Sequence, residues 1–410
     1  MKNIFGKFYQ KSITERKSIL REIDAFDDRL NIIAADEVFD HMIENVITTF
    51  ELPMGLVPDY MINGKQYLVP LVTEEASVVA ASSHAAKIVL RNGGFSARVI
   101  NREMIGQIIF KVEKEQDIFI IHVLNDMPHL MELARLAHPQ IVTLGGGLNR
   151  IEVLKKSNKF ICLYAYIHTV DAMGANTVNT ILESIATYIE QTYHPHIVMS
   201  ILSNLATESL VEARCIIDPN TLKHPDKIAT YIADASEYAL LDPYRAATHN
   251  KGIMNGISAL VLATGNDTRA IEAGAHAYAS ISGNYEPLAT WKVLSNGHLE
   301  GTILLPMAIG TVGGATHILP KAKLAHKLLG NPTATTLMEI AACVGLASNF
   351  AALYALTTDG IQKGHMRLHA KTLAVQAGAT PEQIHDVVEH LVQTQNFTLD
   401  NALNFLKNKN

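Results

Sequence analysis

The segment from Met104 to Leu202 places the tightest limit on the fold, because strand and helix patterns alternate along it. Runs rich in β-branched and aromatic residues predict three strands, over residues 105–112, 160–170 and 196–202. Residues 116–138 start with a strand-like run but continue at helical spacing, so we expect mostly helix there. A second helix, with Ile181 and Ile185 on its apolar face, precedes the third strand. This order predicts a small α/β unit inserted within a larger domain.

Outside this segment the patterns are mainly helical. Residues 12–50 predict mostly helix, from an apolar stripe that includes Leu20, Leu30, Val38, Met42, Ile43 and Val46. Residues 74–90 predict an Ala-rich helix, and short strands are expected on either side of it, at 66–70 and 97–100. From Ile228 onward the chain again has helical patterns, including an apolar helix over 336–356 and a short module after Gly364.

Composition argues against several classes of protein. Of the 410 residues, 48% are hydrophobic and 18% are charged, which is typical of a well-packed globular protein. The net charge of −6 argues against a nucleic-acid surface. Three cysteines without a CxxC pair argue against a disulfide framework or a thiolate zinc site. No apolar run resembles a signal peptide or reaches the ~20 residues of a membrane span, so we expect a soluble, cytoplasmic protein.

The stretch from Asp242 to Asp267 carries the clearest chemical indication. It places Arg245, Lys251 and Asn255 among Gly, Ala and Thr residues, which let a ligand approach closely. A Lys near an Asp stays protonated and can stabilise a developing oxyanion, while an Arg can bind both oxygens of a carboxylate. A Lys and an Asp at this separation are also typical of a surface ion pair.

Glu74 and Glu75 stand at the start of the predicted Ala-rich helix, just before Ser77. Acidic residues at this position favour the helix dipole in their own right. The alternative is functional: one carboxyl lies beside the Lys and stays protonated enough to donate a proton.

The residues from Asp171 to Asn176 follow a predicted strand and open a predicted helix. Their small side chains and the positive helix end fit the pyrophosphate of a dinucleotide. The motif lacks the GxGxxG pattern, so it does not imply a Rossmann domain, and tight strand–helix packing remains an alternative.

His365 lies near the start of the C-terminal module and could act as a mobile general acid near neutral pH. Most histidines have structural roles, and this alternative stays open. His369, four residues later, could complete a metal pair on a helix, but no nearby Glu-rich or Cys ligand set supports a metal site.

Taken together, these motifs resemble hydroxymethylglutaryl-coenzyme A (HMG-CoA) reductase, specifically the class II, soluble bacterial form. The resemblance covers nearly the whole chain in order. It rests on these segments: Glu44–Ile47, Val69–Glu75, Met104–Gln107, Asp171–Asn176, Ser200–Asn204, Asp242–Asp267, Leu305–Met307, Leu329–Pro332 and Gly364–Met366.

The resemblance implies a four-electron reduction of (S)-HMG-CoA to mevalonate and CoA by two hydride transfers. Lys251 would polarise the thioester carbonyl and stabilise the mevaldyl oxyanion. Asp267 would hold Lys251, and Glu75 would act with Lys251 as the proton donor. His365 would protonate the departing CoA thiolate. The positions that match substrate-binding residues are Ser77, Arg245 and Asn255, and those that match the dinucleotide motif are Asp171, Met173, Gly174, Ala175 and Asn176.

The family's fold is mixed α+β. The resemblance implies a large, mainly helical HMG-CoA-binding and dimerisation domain (1–102 and 206–360) and an inserted ferredoxin-like NAD(P)-binding domain (103–205). It also implies a C-terminal flap (361–410) that carries the catalytic His. The active site would form at a homodimer interface, with no metal, membrane or nucleic acid involved.

Two positions depart from the family pattern. Thr48 stands where the family often has Gly. His138 stands where NADH-preferring relatives have an Asp that bonds the adenosine ribose. An Asp would repel a 2′-phosphate and a His would not, so we expect NADPH to be preferred, with NADH as the other possible cofactor.

Three alternatives remain at this point. The same enzyme could run oxidatively with NAD to degrade mevalonate. The chain could also be an inactive CoA- or nucleotide-binding relative, although the presence of all four catalytic positions argues against it. An acyl-CoA reductase that uses a cysteine thioester is disfavoured, since none of the three cysteines lies in an activating motif.

Overall fold

A computed structural model describes residues 11–22, 37–358 and 360–409, and it omits the side chains of 16, 20, 37, 38, 361–365, 367, 368 and 409. The chain divides into two compact units, Met1–Pro53 and Met54–Asn410. In the first unit, helices α1 (Ile13–Glu22) and α2 (Glu37–Asp40) confirm part of the helix predicted over 12–50. The prediction was wrong for 41–50, which form turns and extended chain, and 23–36 lie outside the described residues.

The second unit contains ten strands within the described residues. They are β1 (Met54–Ile62), β2 (Lys65–Val72), β3 (Phe95–Val99), β4 (Met104–Lys111), β5 (Gly147–Lys155), β6 (Phe160–His168), β7 (His196–Leu202), β8 (Leu210–Ile217), β9 (Ala289–Val293) and β10 (Leu299–Pro306). Its helices are α3 (Ala76–Arg91), α4 (Gln116–Asn125), α5 (Met127–Ala137), α6 (Pro139–Thr143), α7 (Ala175–Tyr193), α8 (Pro225–Leu241), α9 (Pro243–Ala263), α10 (Thr268–Ala279), α11 (Pro320–Leu328), α12 (Ala334–Thr357), α13 (Ile361–Gln376), α14 (Ile384–Thr394) and α15 (Leu399–Lys409).

A six-stranded sheet of order β2-β1-β3-β8-β10-β9 supports the helices that carry the candidate site. All neighbouring strands are antiparallel except β1 and β3. Asn63 and Gly64, both with positive φ, form the tight turn between β1 and β2. Helices α3, α9 and α12 pack together, and residues of all three helices belong to the same hydrophobic core as this sheet.

The segment from Met104 to Leu202 forms a separate antiparallel sheet of order β5-β6-β4-β7. Helices α4 to α6 connect β4 to β5, and α7 connects β6 to β7, which is the ferredoxin-like arrangement. The predicted α/β unit is therefore confirmed. Strand β5, which begins at Gly147, was not predicted.

Helix α12 lies at the centre of the core, and most of its residues are buried. In the described part of the chain it is the one helix long and apolar enough to cross a membrane. Of the most apolar stretch of this helix, 78% is buried, which is typical of a core helix in a globular protein. Helices α13 to α15 have a second, smaller apolar cluster of their own, which confirms the predicted C-terminal helical module.

Candidate active site

Helix α9 presents three of the candidate side chains, Arg245, Lys251 and Asn255. Asp242 caps its first turn by accepting a hydrogen bond from the Tyr244 backbone N–H (3.0 Å), and Pro243 occupies the first helical position. Lys251 and Asn255 are four residues apart and project from the same side of the helix, while Arg245 lies six residues before Lys251, about 120° around the helix axis. A continuous helix therefore holds all three at fixed separations.

Glu75 meets Lys251 across the gap between α3 and α9. Its backbone caps the N-terminus of α3, and no side-chain capping bond forms. One carboxylate oxygen accepts from Lys251 Nζ at 3.0 Å and the other accepts from Ser77 Oγ at 2.8 Å. The Lys251 side chain is 62% exposed in this pair, so its ammonium remains accessible to a ligand.

A cavity of about 390 Å³ opens beside this ion pair. The three predicted substrate-binding residues, Ser77, Arg245 and Asn255, all line it, together with Glu75 and Lys251. Its remaining wall is mostly small and apolar, formed by Ala80, Ala81, Ala351, Ala352 and Ala355. Partial burial lowers the pKa of the Arg245 guanidinium. The cavity is therefore lined by a guanidinium cation, an ammonium–carboxylate pair and small apolar side chains.

Lys251 and Glu75 also line a second cavity, of about 640 Å³. Its far wall carries Glu272, which accepts from Ser258 Oγ and bonds His276 Nε2 at 3.1 Å. The Lys251–Glu75 pair thus borders two cavities.

Asp267 occupies a different position from the one predicted. Its carboxylate caps α10 by accepting from the backbone N–H groups of Arg269 and Ala270, and it pairs with the Arg269 guanidinium at 2.9 Å. Among the described side chains, Asp267 makes no ion pair with Lys251. The expected Asp267–Lys251 contact is therefore not formed here, because local helix capping already satisfies the carboxylate.

The predicted dinucleotide motif lines a third cavity, of about 600 Å³, together with Asp267 and the loop 310–316. Gly174 has φ +99°, and a Cβ there would lie 2.2 Å from the Thr169 side chain. At Gly310 a Cβ would lie 2.4 Å from the Met173 backbone nitrogen. Gly310 is thus required for the close approach of the two loops that form this cavity, and Gly174 for the packing of its own loop against Thr169.

The N-terminus of α7 faces this third cavity through Ala175, Asn176 and Thr177. The first backbone N–H groups of a helix have no intrahelical acceptor, and they attract an anion. Asp171, by contrast, does not line the cavity: its carboxylate accepts from the Ala334 backbone N–H at 2.7 Å and so ties the motif to α12. The residues present fit a dinucleotide pyrophosphate, and Asp171 acts as an anchor of the loop.

His138 lies against the first turn of α7. Its Nδ1 accepts from the Ile141 backbone N–H (3.3 Å), and its Nε2 is 3.3 Å from Thr177 Oγ1. The side chain predicted to influence cofactor choice is therefore adjacent to the dinucleotide motif.

His365 belongs to α13, but its side chain lies outside the described part of the structure. Its role as a general acid stays a prediction. In the described residues, no group of three or more His, Cys, Asp or Glu side chains is placed to hold a metal ion.

Sequence patterns did not indicate Arg102, which organises the dinucleotide loop. Its guanidinium donates to the carbonyl oxygens of Val170 (2.6 Å), Ala172 (3.0 Å) and Ile309 (3.1 Å). Burial lowers the pKa of Arg102 to about 10, while the nearby Asp171 opposes that shift. A lone Arg between two strands has no distinctive spacing, so only the three-dimensional contacts identify it.

A family model of hydroxymethylglutaryl-coenzyme A reductase matches residues 12–370. The match includes every residue that lines the three cavities. The chain belongs to the HMG-CoA reductase family.

Individual relatives agree with this family. The 3-hydroxy-3-methylglutaryl-coenzyme A reductase of Archaeoglobus fulgidus is 44% identical over 408 residues, covering 98% of this chain and 93% of that protein. The probable reductase of Borreliella burgdorferi is 38% identical over 380 residues, covering 89% and 85%. A solved class II HMG-CoA reductase from Streptococcus pneumoniae, bound to NADPH in open conformations, is 44% identical with a TM-score of 0.77, covering 97% of this chain and 99% of that one.

These similarities confirm the mixed α+β fold and the family predicted from the sequence. The chain is an HMG-CoA reductase by family, an oxidoreductase, and the solved Streptococcus pneumoniae relative binds NADPH. The cavity that Ser77, Arg245 and Asn255 line, the candidate substrate-side cavity, also contains a buried residue that the sequence did not single out, His249.

Proposed function

We propose that the chain reduces (S)-HMG-CoA to (R)-mevalonate and CoA, with two NADPH and two protons consumed, as a step of the mevalonate route to isoprenoids. The observation that carries the proposal is the Lys251–Glu75 pair at 3.0 Å, which borders a cavity that Arg245 also lines. Arg245 suits the free carboxylate of the acyl group, and the ion pair suits its thioester end.

Lys251 and Glu75 divide the electrostatic and proton-transfer work. The Lys251 ammonium polarises the thioester carbonyl and stabilises the oxyanion that develops on the substrate. During reduction of the aldehyde, the Lys251–Glu75 pair delivers a proton to the carbonyl oxygen. Their direct hydrogen bond supports this transfer, because a proton needs a donor and acceptor within bonding distance.

Asp267 and His365 have roles that require a further rearrangement. Asp267 tunes Lys251 once it is released from Arg269. His365, carried on α13, protonates the departing CoA thiolate and so prevents it from adding back to the aldehyde. An acid of this kind contributes about 10²–10⁴-fold in rate.

The N-terminus of α7 and the small residues Met173–Asn176 hold the dinucleotide, with Asp171 and Arg102 keeping the loop in place. When bound, NADPH supplies the hydride for each of the two reductions. His138, beside the first turn of α7, adds no negative charge near a 2′-phosphate, which supports a preference for NADPH over NADH.

The two sheets support a division into a large domain (1–102 and 206–360), a cofactor domain (103–205) and a C-terminal flap (361–410). The flap has an apolar cluster of its own, which lets it move as a unit. We place the protein in the cytoplasm, with neither membrane nor nucleic acid as a partner.

A homodimer completes the site in this proposal. Lys251 is 62% exposed, yet a charge stabilises a transition state strongly only where water is excluded. Large apolar side chains next to the site are also exposed, namely Leu241 (75%), Tyr244 (87%) and Leu262 (42%). A second copy would cover such a patch.

The oxidative direction, mevalonate to HMG-CoA with NAD, is the second candidate. The same residues serve both directions, and His138 is the observation that favours the reductive one.

Lys251→Ala tests the core assignment. HMG-CoA-dependent oxidation of NADPH, followed by absorbance, should fall at least ~100-fold, since a preorganised cation at the oxyanion is lost. Lys87→Ala, which removes an exposed Lys from neighbouring α3, is the matched control and should keep wild-type activity. Undiminished activity of Lys251→Ala would contradict the proposal.

A further inference from the structure

His249 is a buried histidine at the wall of the substrate-side cavity. It is 1% exposed and follows Arg245 by one turn of α9, so both belong to the same face of the helix. Its Nε2 is 2.9 Å from the backbone carbonyl oxygen of Ala289, which can only accept, so Nε2 carries the proton and donates. That tautomer leaves Nδ1 with a lone pair and no proton.

Nδ1 of His249 has no hydrogen-bond partner among the described residues, and it is itself shielded from solvent, so a ligand in the cavity reaches it through a small shift of the cavity wall. An acceptor in this condition is costly to bury unless a ligand or water satisfies it. Burial, with a contribution from Arg245, lowers the pKa of His249 to about 4, although the bond to Ala289 opposes the shift. The ring therefore stays neutral near pH 7, and Nδ1 remains an acceptor.

Another buried polar atom at this cavity also has no described partner, Ser348 Oγ, but its surroundings differ. It packs against Gly256, where a Cβ would lie 2.2 Å from it, at the contact between α9 and α12. Ser348 thus belongs to the helix–helix contact, whereas His249 neighbours the cation that suits the substrate carboxylate.

The chemistry of the acyl group limits what can satisfy His249. The carboxylate and the thioester carbonyl of HMG-CoA only accept hydrogen bonds, and the methyl and methylene groups do neither. The tertiary 3-hydroxyl is the one donor of the acyl group. It lies two carbons from the carboxylate, within a short distance of any group that neighbours Arg245.

We propose that His249 Nδ1 accepts a hydrogen bond from the 3-hydroxyl of the HMG group and makes the enzyme selective for 3-hydroxylated acyl thioesters. This inference rests on the proposed function and adds a substrate-contacting residue to it. A buried acceptor rejects an analogue that lacks the hydroxyl, because that analogue leaves the acceptor unpaired.

Two substitutions separate the ring nitrogens. In His249→Gln the side-chain amide reaches the position of Nε2 and keeps the bond to Ala289, but no acceptor remains at Nδ1. In His249→Asn the amide oxygen lies near the position of Nδ1 and the bond to Ala289 is lost. Thermal unfolding of both purified variants confirms that each is folded before kinetics are compared.

The experiment measures kcat/KM for (S)-HMG-CoA and for 3-methylglutaryl-CoA, which has hydrogen in place of the hydroxyl. We expect His249→Gln to lose about 10-fold or more with HMG-CoA and less than ~3-fold with the analogue, the size of one hydrogen bond. His249→Asn should recover part of the discrimination. An equal loss on both substrates would overturn the inference, since it would assign Nδ1 to packing or to a bound water. A wild-type enzyme that reduces neither substrate would instead overturn the proposed function.

Discussion

Lys251 and Glu75 form an ion pair, while Asp267, which was expected to hold Lys251, caps its own helix. The reason is local: an Asp at a helix N-terminus has backbone N–H groups within reach before any distant Lys competes. The sequence thus indicated which residues to consider. The partners of Asp267 depended on the nearest hydrogen-bond donors, which belong to its own helix.

His138 gives a charge-specific prediction about cofactor choice. It caps α6 through Nδ1 and contacts the first turn of α7, so a replacement must preserve the cap. Asp and Asn both cap helices well, but only Asp introduces a negative charge. We expect His138→Asp to lower kcat/KM for NADPH about 10–100-fold relative to NADH, through repulsion of the 2′-phosphate.

His138→Asn is the control, and it should change the NADPH-to-NADH ratio much less, because its side chain is neutral. Steady-state kinetics with both cofactors at saturating HMG-CoA provide the ratio. A wild-type enzyme that prefers NADH, or an Asp variant whose ratio matches that of the Asn variant, would refute the role of charge.

At the scale of elements, helices and regular strands were predicted more completely than irregular strands. The patterns identified α3, α7 and α12, and the strands β4, β6 and β7, because these have uninterrupted periodicity. Strand β1 was not predicted, since Pro58 and Asp59 interrupt it at a register shift. Strand β10 contains Gly301, and glycine is unfavourable inside a strand. The missing side chain makes room for the Trp291 ring, because a Cβ at Gly301 would lie 2.4 Å from the nearest ring atoms.

The contact between α9 and α12 depends on glycine at one position and tolerates a side chain at another. A Cβ at Gly256 would lie 2.2 Å from Ser348 Oγ and 2.9 Å from a Val344 methyl carbon. At Gly252 a Cβ would lie 3.7 Å from Ala352 Cβ, an ordinary contact. A side chain at the first position forces the two helices apart, and one at the second does not.

Gly256→Ala should therefore lower the free energy of unfolding by about 1–3 kcal/mol through overpacking. Gly252→Ala should raise it by about 0.5–1 kcal/mol, because Gly loses more backbone entropy than Ala when it is fixed in a helix. Urea-induced unfolding of the two variants and the wild type measures both changes. Equal effects of the two substitutions would show that the helix contact is not the cause.

For the whole molecule, the residues that act together come from distant parts of the chain. Glu75, Lys251 and the 171–176 motif belong to three separate sequence segments, yet they border cavities that share lining residues. Sequence motifs identified these segments, but the spacing between them along the chain contains no information on the distances between their side chains. The exposure of Lys251 likewise emerges only when the whole subunit is described.

That exposure leads to a prediction about assembly. If a second copy covers the apolar side chains around Lys251 and completes the site, specific activity should fall when the enzyme is diluted below its dimer dissociation constant. The fall should follow the dimer fraction, measured by sedimentation velocity in the assay buffer. Inert carrier protein in every dilution controls for loss of enzyme on surfaces. Substrate that binds across the interface favours the dimer, so it should shift the curve of specific activity to lower enzyme concentration. A monomer that retains full specific activity would show that one subunit excludes water from Lys251 without help, leaving closure of the C-terminal helices to do so.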